Sequence, residues 1–112
     1  MEIIGDVAGR VCVMIDDMID TGGSIVQGAQ ALVDRGAREV HACCTHGVLS
    51  GDAVQRVEGS PLASLLITDT IPLQAQSSKI KVLSVAPLLA DAIRRIHDDS
   101  SVSELFQHYA SH

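Results

Sequence analysis

The run Val11-Cys12-Val13-Met14-Ile15-Asp16-Asp17-Met18-Ile19-Asp20-Thr21-Gly22-Gly23-Ser24-Ile25 constrains this chain more than any other stretch. Its apolar start predicts a buried strand, which delivers two adjacent carboxylates and then a third. Thr-Gly-Gly-Ser forms a turn, and Ile25, Ala29, Leu32 and Val33 follow at helical spacing, with Gly36 as a stop. Such a strand, turn and helix can hold a sugar phosphate. Carboxylates accept hydrogen bonds from sugar hydroxyls, and the turn offers backbone N–H groups to an anion. Glycines permit close approach, and the helix dipole supplies positive potential where no Lys or Arg stands. The plainer reading is an N-capped helix behind a solvated acidic loop.

The other segments alternate as in a parallel α/β sheet. Strands are predicted over Glu39–Thr45, Leu65–Thr68 and Ile80–Val85. A helix begins at Ser50 or Gly51, turns Ala53, Val54 and Val57 inward, and stops near Gly59. Pro87 suits the first turn of a helix reaching about His97, with Leu88, Leu89, Ala92, Ile93 and Ile96 on one face. Ser101-Val102-Ser103-Glu104 has capping-box spacing before a short helix near Ser103–Tyr109. Strands joined by helical crossovers are parallel, so their C-terminal ends share one edge, beyond which ligands bind. Asp16–Ser24, Thr45–Gly47 and Asp69-Thr70 all fall there and form one polar crevice. The expected fold is α/β: three layers, a mostly parallel sheet of about four or five strands, and helices on both faces.

A length of 112 residues allows one domain, residues 1–112. With only Phe106 and Tyr109 as aromatics, its core must be aliphatic. The formal charge of −6 argues against nucleic acid or an anionic membrane as main partner, and no apolar run is long enough to span a bilayer. Cys12, Cys43 and Cys44 lie in predicted strands, are odd in number, and fit reduced thiols of a cytoplasmic protein. His41, Cys43, Cys44 and His46 do not read as a metal site, because strand alternation divides them between faces.

The acidic strand end with Thr21-Gly22-Gly23-Ser24 resembles the phosphoribosyl-diphosphate (PRPP) binding signature of type I phosphoribosyltransferase folds. The resemblance then widens. Gly5-Asp6-Val7, Thr45-His46-Gly47 with Ser50-Gly51, Thr68-Asp69-Thr70-Ile71-Pro72, Ala90 through His97, and Ser101 through Phe106 follow in order. Together they resemble the C-terminal part of ribose-phosphate diphosphokinase, or PRPP synthetase, over essentially the whole chain. That family converts ATP and ribose 5-phosphate to PRPP and AMP with Mg²⁺.

By position, the resemblance implies that Asp16 and Asp17 hold the ribose hydroxyls directly or through Mg²⁺, with Asp20 near the same sugar. Thr21, Gly22, Gly23 and Ser24 would wrap the 5-phosphate; Ser24 stands where the family usually carries Thr and keeps the hydroxyl. The Ser101-to-Phe106 stretch, with Ser101, Val102, Ser103 and Phe106, would contact a regulatory nucleotide at a subunit interface; on residue physics alone it is a capped terminal helix. His46, Asp69 and Thr70 are candidate crevice lining without assigned chemistry. Family members are about three times longer, and their N-terminal part supplies most of the ATP site, a metal-binding His and Asp, and a mobile basic loop. Met1 falls where that sequence continues upstream, so the resemblance implies a partial fold that binds without catalysing.

Two other functions compete. A phosphoribosyltransferase that consumes PRPP shares the loop but needs a hood and a base-binding segment. A non-catalytic regulatory or assembly module would bind copies of itself or synthetase subunits, since family enzymes form dimers that assemble into hexamers.

Overall fold

Four strands, β1 (Val11–Ile19), β2 (Glu39–Gly47), β3 (Ser64–Thr68) and β4 (Ile80–Leu83), form one parallel sheet in the order β1-β2-β3-β4. This is seen in a computed structural model that describes residues 3–110, with side chains as far as Gln107. His112, and the side chains of His108 and Tyr109, lie outside the described residues. Helices α1 (Gly23–Asp34) and α2 (Ala53–Glu58) are the first two crossovers, and α3 (Ala86–His97) and α4 (Val102–Ala110) follow β4.

Each strand lies beside its predecessor, so the crossovers step in one direction. Right-handed connections then place α1 and α2 on the same face of the sheet. Burial agrees. Val40, Ala42, Cys44, Leu65, Ile67 and Ile80 join Ile19, Ile25, Ala29, Leu32, Val57 and Leu62 in one aliphatic core. The opposite face shows Val13, Ile15, Leu66 and Leu83, between 40% and 81% exposed. The α/β class and parallel sheet match expectation. The expected second helical layer does not cover the opposite face among the described residues.

α1 ends as its sequence predicts. Gly36, at φ +91°, lets its own N–H reach Val33 O (2.9 Å) while Ala37 N–H reaches Leu32 O (3.0 Å), the paired bonds of a Schellman ending. α3 has no buried residue, and its stripe of Leu89, Ile93 and Ile96 is 54–69% exposed. It packs instead on α4, where Leu105 is buried. Arg95 joins the two helices: its guanidinium donates to Ser101 O (3.1 Å) and pairs with Glu104 (3.6 Å). Glu104 therefore does not close the expected capping box, and Ser101 Oγ shares a hydrogen bond with Ser103 Oγ (2.8 Å). The helical pair standing off the sheet gives a radius of gyration of 16.5 Å, against about 13 Å for a compact domain of this size.

Candidate functional site

Three loops meet at the C-terminal edge of the sheet. In β1 and β2 the burial phase slips by one residue: Val40, Ala42 and Cys44 are buried, and then Gly47. β1 does the same, so Ile19 rather than Met18 enters the core. Asp16 stands before the slip, in register with buried Cys44, and yet both Asp16 and Asp17 are exposed. Asp16 Oδ1 accepts the Asp17 N–H at 2.8 Å. The hydrogen bond with the Asp17 side chain, and then that N–H, hold the Asp16 carboxyl below its ordinary value. Asp16 is thus an exposed, ionised acceptor at neutral pH.

A cleft of about 190 Å³ is lined by Asp16 and every residue from Met18 to Ile25. Larger hollows of about 670 and 300 Å³ run along the 73–78 loop beside α2, but neither contains a residue of the acidic loop. The smaller cleft holds the donors suited to an anion. Gly22 sits at the N-cap of α1 with φ +83°, and its carbonyl accepts the first helical bond from Val26 N–H (3.1 Å). Among the described residues, none accepts a hydrogen bond from the N–H of Thr21, Gly22, Gly23 or Ser24. Four amide donors therefore remain for a ligand.

The back of this loop is braced from the segment that opens α2. Ile19 O accepts from Val48 N–H (3.0 Å) and Leu49 N–H (3.1 Å), and Asp20 O accepts from Ser50 N–H (3.0 Å). Ser50 Oγ donates to Asp20 Oδ1 at 2.5 Å, and Arg56 Nη1 donates to Thr21 O at 3.0 Å. One oxygen of Asp20 is thereby held by Ser50. In the sequence, Ser50 marks a helix start and part of the Ser50-Gly51 motif, and Arg56 carries no signal, because contacts 30 and 35 residues apart leave none locally.

The other crevice candidates form a second cluster. His46 Nδ1 lies 2.8 Å from Thr70 Oγ1, and Thr68 Oγ1 donates to Thr45 O at 2.6 Å, tying β2 to β3. Asp69 faces the start of α3. Its carboxylate accepts the Val85 N–H at 2.9 Å, and bonds from Ser84 and then Val85 hold its carboxyl below the ordinary value. Ser101, Val102, Ser103 and Phe106 lie at and beyond the start of α4, with no hydrogen bond to the crevice among the described residues. Cys43 is half-buried and Cys44 buried, and burial pushes the Cys44 thiol up.

Comparison with known proteins gives a consistent result. A family model described as the phosphoribosyl synthetase-associated domain matches residues 1–107. The chain is 60% identical over 109 residues to ribose-phosphate pyrophosphokinase of Clostridium acetobutylicum, covering 96% of this chain and 34% of that protein. It is 51% identical over 108 residues to ribose-phosphate pyrophosphokinase 1, chloroplastic, of Arabidopsis thaliana, covering 95% and 27%. The crystal structure of phosphoribosylpyrophosphate synthetase from Mycobacterium smegmatis superposes with a TM-score of 0.84 at 40% identity, over 87% of this chain and 33% of that one. The chain spans about a third of the length of the curated relatives it matches. No helix among the described residues is long and apolar enough to cross a membrane.

Proposed function

The chain belongs to the phosphoribosyl synthetase-associated domain family, and on that premise we propose that residues 1–112 are a single ribose 5-phosphate or PRPP-binding domain, the C-terminal half of a cytoplasmic ribose-phosphate diphosphokinase. The observation that carries this reading is the four unpaired amides beside an exposed, ionised Asp16 in a cleft of sugar-phosphate scale. The N–H groups of Thr21 to Ser24 bind the 5-phosphate, helped by the hydroxyls of Thr21 and Ser24 and the dipole of α1. Asp16 and Asp17 accept from the ribose hydroxyls.

Two adjacent exposed carboxylates also suit a hard cation that arrives with the substrate and keeps most of its waters, so Asp16 and Asp17 are the residues that would hold Mg²⁺. Bound there, it would neutralise phosphate charge. This chain fixes the sugar and its phosphate and so supplies position to diphosphoryl transfer from ATP. The rest of a full-length enzyme brings ATP, and the intact enzyme works as an oligomer of such subunits.

Calorimetric titration of the chain with ribose 5-phosphate and Mg²⁺ tests the reading. Saturable binding, lost in the Asp16→Ala/Asp17→Ala double variant, is the expected result. A folded chain that takes up no ribose 5-phosphate sinks it.

A further inference from the structure

We propose that Arg56 is a positioning residue for the sugar-phosphate loop, aiming the Gly22 amide at the ligand from behind. This inference rests on the ribose 5-phosphate reading of Asp16–Ser24 and adds a residue outside that loop. It follows from peptide geometry. A trans peptide is planar, so the carbonyl of one residue and the N–H of the next point in opposite directions. The carbonyls of Ile19, Asp20 and Thr21 are all taken by donors from the segment Val48 to Arg56. The N–H groups of Asp20, Thr21 and Gly22 are therefore turned away from that segment. Three successive amides facing one side make an anion-binding concavity.

The donors that impose this differ in kind. Val48, Leu49 and Ser50 use backbone N–H groups, which no substitution other than proline removes. The last is the guanidinium of Arg56, 3.0 Å from Thr21 O. It holds the peptide that contains the Gly22 N–H, where φ of +83° leaves a glycine freest to rotate. Without Arg56 that peptide can flip and present a carbonyl to the phosphate, replacing attraction with repulsion. A planar guanidinium with its donors in a fixed fork suits the task. Ser50 supports the same arrangement one residue earlier by gripping both the carbonyl and the carboxylate of Asp20.

The test uses the whole 112-residue chain with Arg56→Met, which keeps the aliphatic stem, and Arg56→Lys, which restores a donor. Ribose 5-phosphate affinity is measured by calorimetry, and the Gly22 and Gly23 amides are followed by nitrogen-15 NMR before ligand is added. Arg56→Met is expected to weaken binding about tenfold and to shift the ligand-free Gly22 amide signal, with the melting temperature moving less than about 3 °C. Arg56→Lys is expected to recover most of the affinity and the wild-type Gly22 signal. Affinity of Arg56→Met within about twofold of wild type overturns the assignment and leaves the binding site standing. So does weakened binding with an unmoved Gly22 amide, which would make Arg56 a direct ligand contact. A wild-type chain that binds nothing overturns the site itself, and this role with it.

Discussion

The C-terminal rim of the sheet and its uncovered face are built by the same strands but are finished to different degrees. At the rim, Ser50 holds Asp20, Arg56 holds Thr21, His46 meets Thr70, and Asp69 takes the Val85 amide. Each of these contacts joins residues far apart in sequence. On the uncovered face, Val13, Ile15, Leu66 and Leu83 are 40–81% exposed, and Leu89, Ile93 and Ile96 of α3 are equally open. The rim is thus braced by contacts between loops, while the second face of the sheet stays open among the described residues.

Adjacent leucines of β3 break the comparison most sharply. Leu65 is 0% exposed and Leu66 40%, on opposite faces. Leu65→Ala is expected to cost about 3 kcal/mol and Leu66→Ala well under about 1 kcal/mol in chemical denaturation. Equal losses would mean that the second face is covered in solution. Gly47→Ala comes next, at the join of core and rim. A Cβ there would lie 2.9 Å from Ile67 Cδ1 and 3.1 Å from Cγ2, so a loss of about 1–3 kcal/mol is expected from the same titration. Gly36→Ala probes the end of α1, where φ +91° and a Cβ 3.4 Å from Ala8 predict a loss of about 1–2 kcal/mol, seen as a lower melting temperature.

The smallest effect concerns pH. The folded pKa of Asp69 lies below the ordinary 3.8 because Ser84 and then Val85 donate to its carboxylate. A depressed carboxyl stabilises the fold above its unfolded value and loses that contribution as pH falls through the lower folded value. Asp69→Asn should therefore leave a slightly shallower decline of stability below about pH 4, read as the denaturation midpoint against pH. An unchanged acid limb would mean that the Val85 bond does not hold the start of α3 in solution.

Much of the architecture is legible in the sequence because the signals are local. Helical spacing from Ile25 to Val33 with Gly36 beyond it gives α1, and Pro87 gives the start of α3. Of the proposed site residues, Asp16 and Asp20 to Ser24 share one cleft because they lie close together in sequence, and Asp17 does not line it. What escapes is non-local. Strand order decides which face α1 and α2 cover, and no residue pattern states it. β4 ends at Leu83 instead of Val85 because Asp69, 16 residues earlier, captures the Val85 amide. Asp16 stands in register with buried Cys44 and is nonetheless exposed, because the core does not reach that end of β1, and no local pattern states where the core stops. Arg56 reads in sequence as one more exposed helical charge, and only the fold brings it to Thr21.

The most direct measurement is a nitrogen-15 NMR titration of the chain with ribose 5-phosphate in Mg²⁺ buffer, following the amides of Asp16 to Ser24 against those of α3. Saturating shifts concentrated at Thr21, Gly22, Gly23 and Ser24, with α3 unmoved, are expected if this loop is an organised sugar-phosphate cradle. Unmoved loop amides in a folded chain, or shifts centred on α3 and α4, would contradict it.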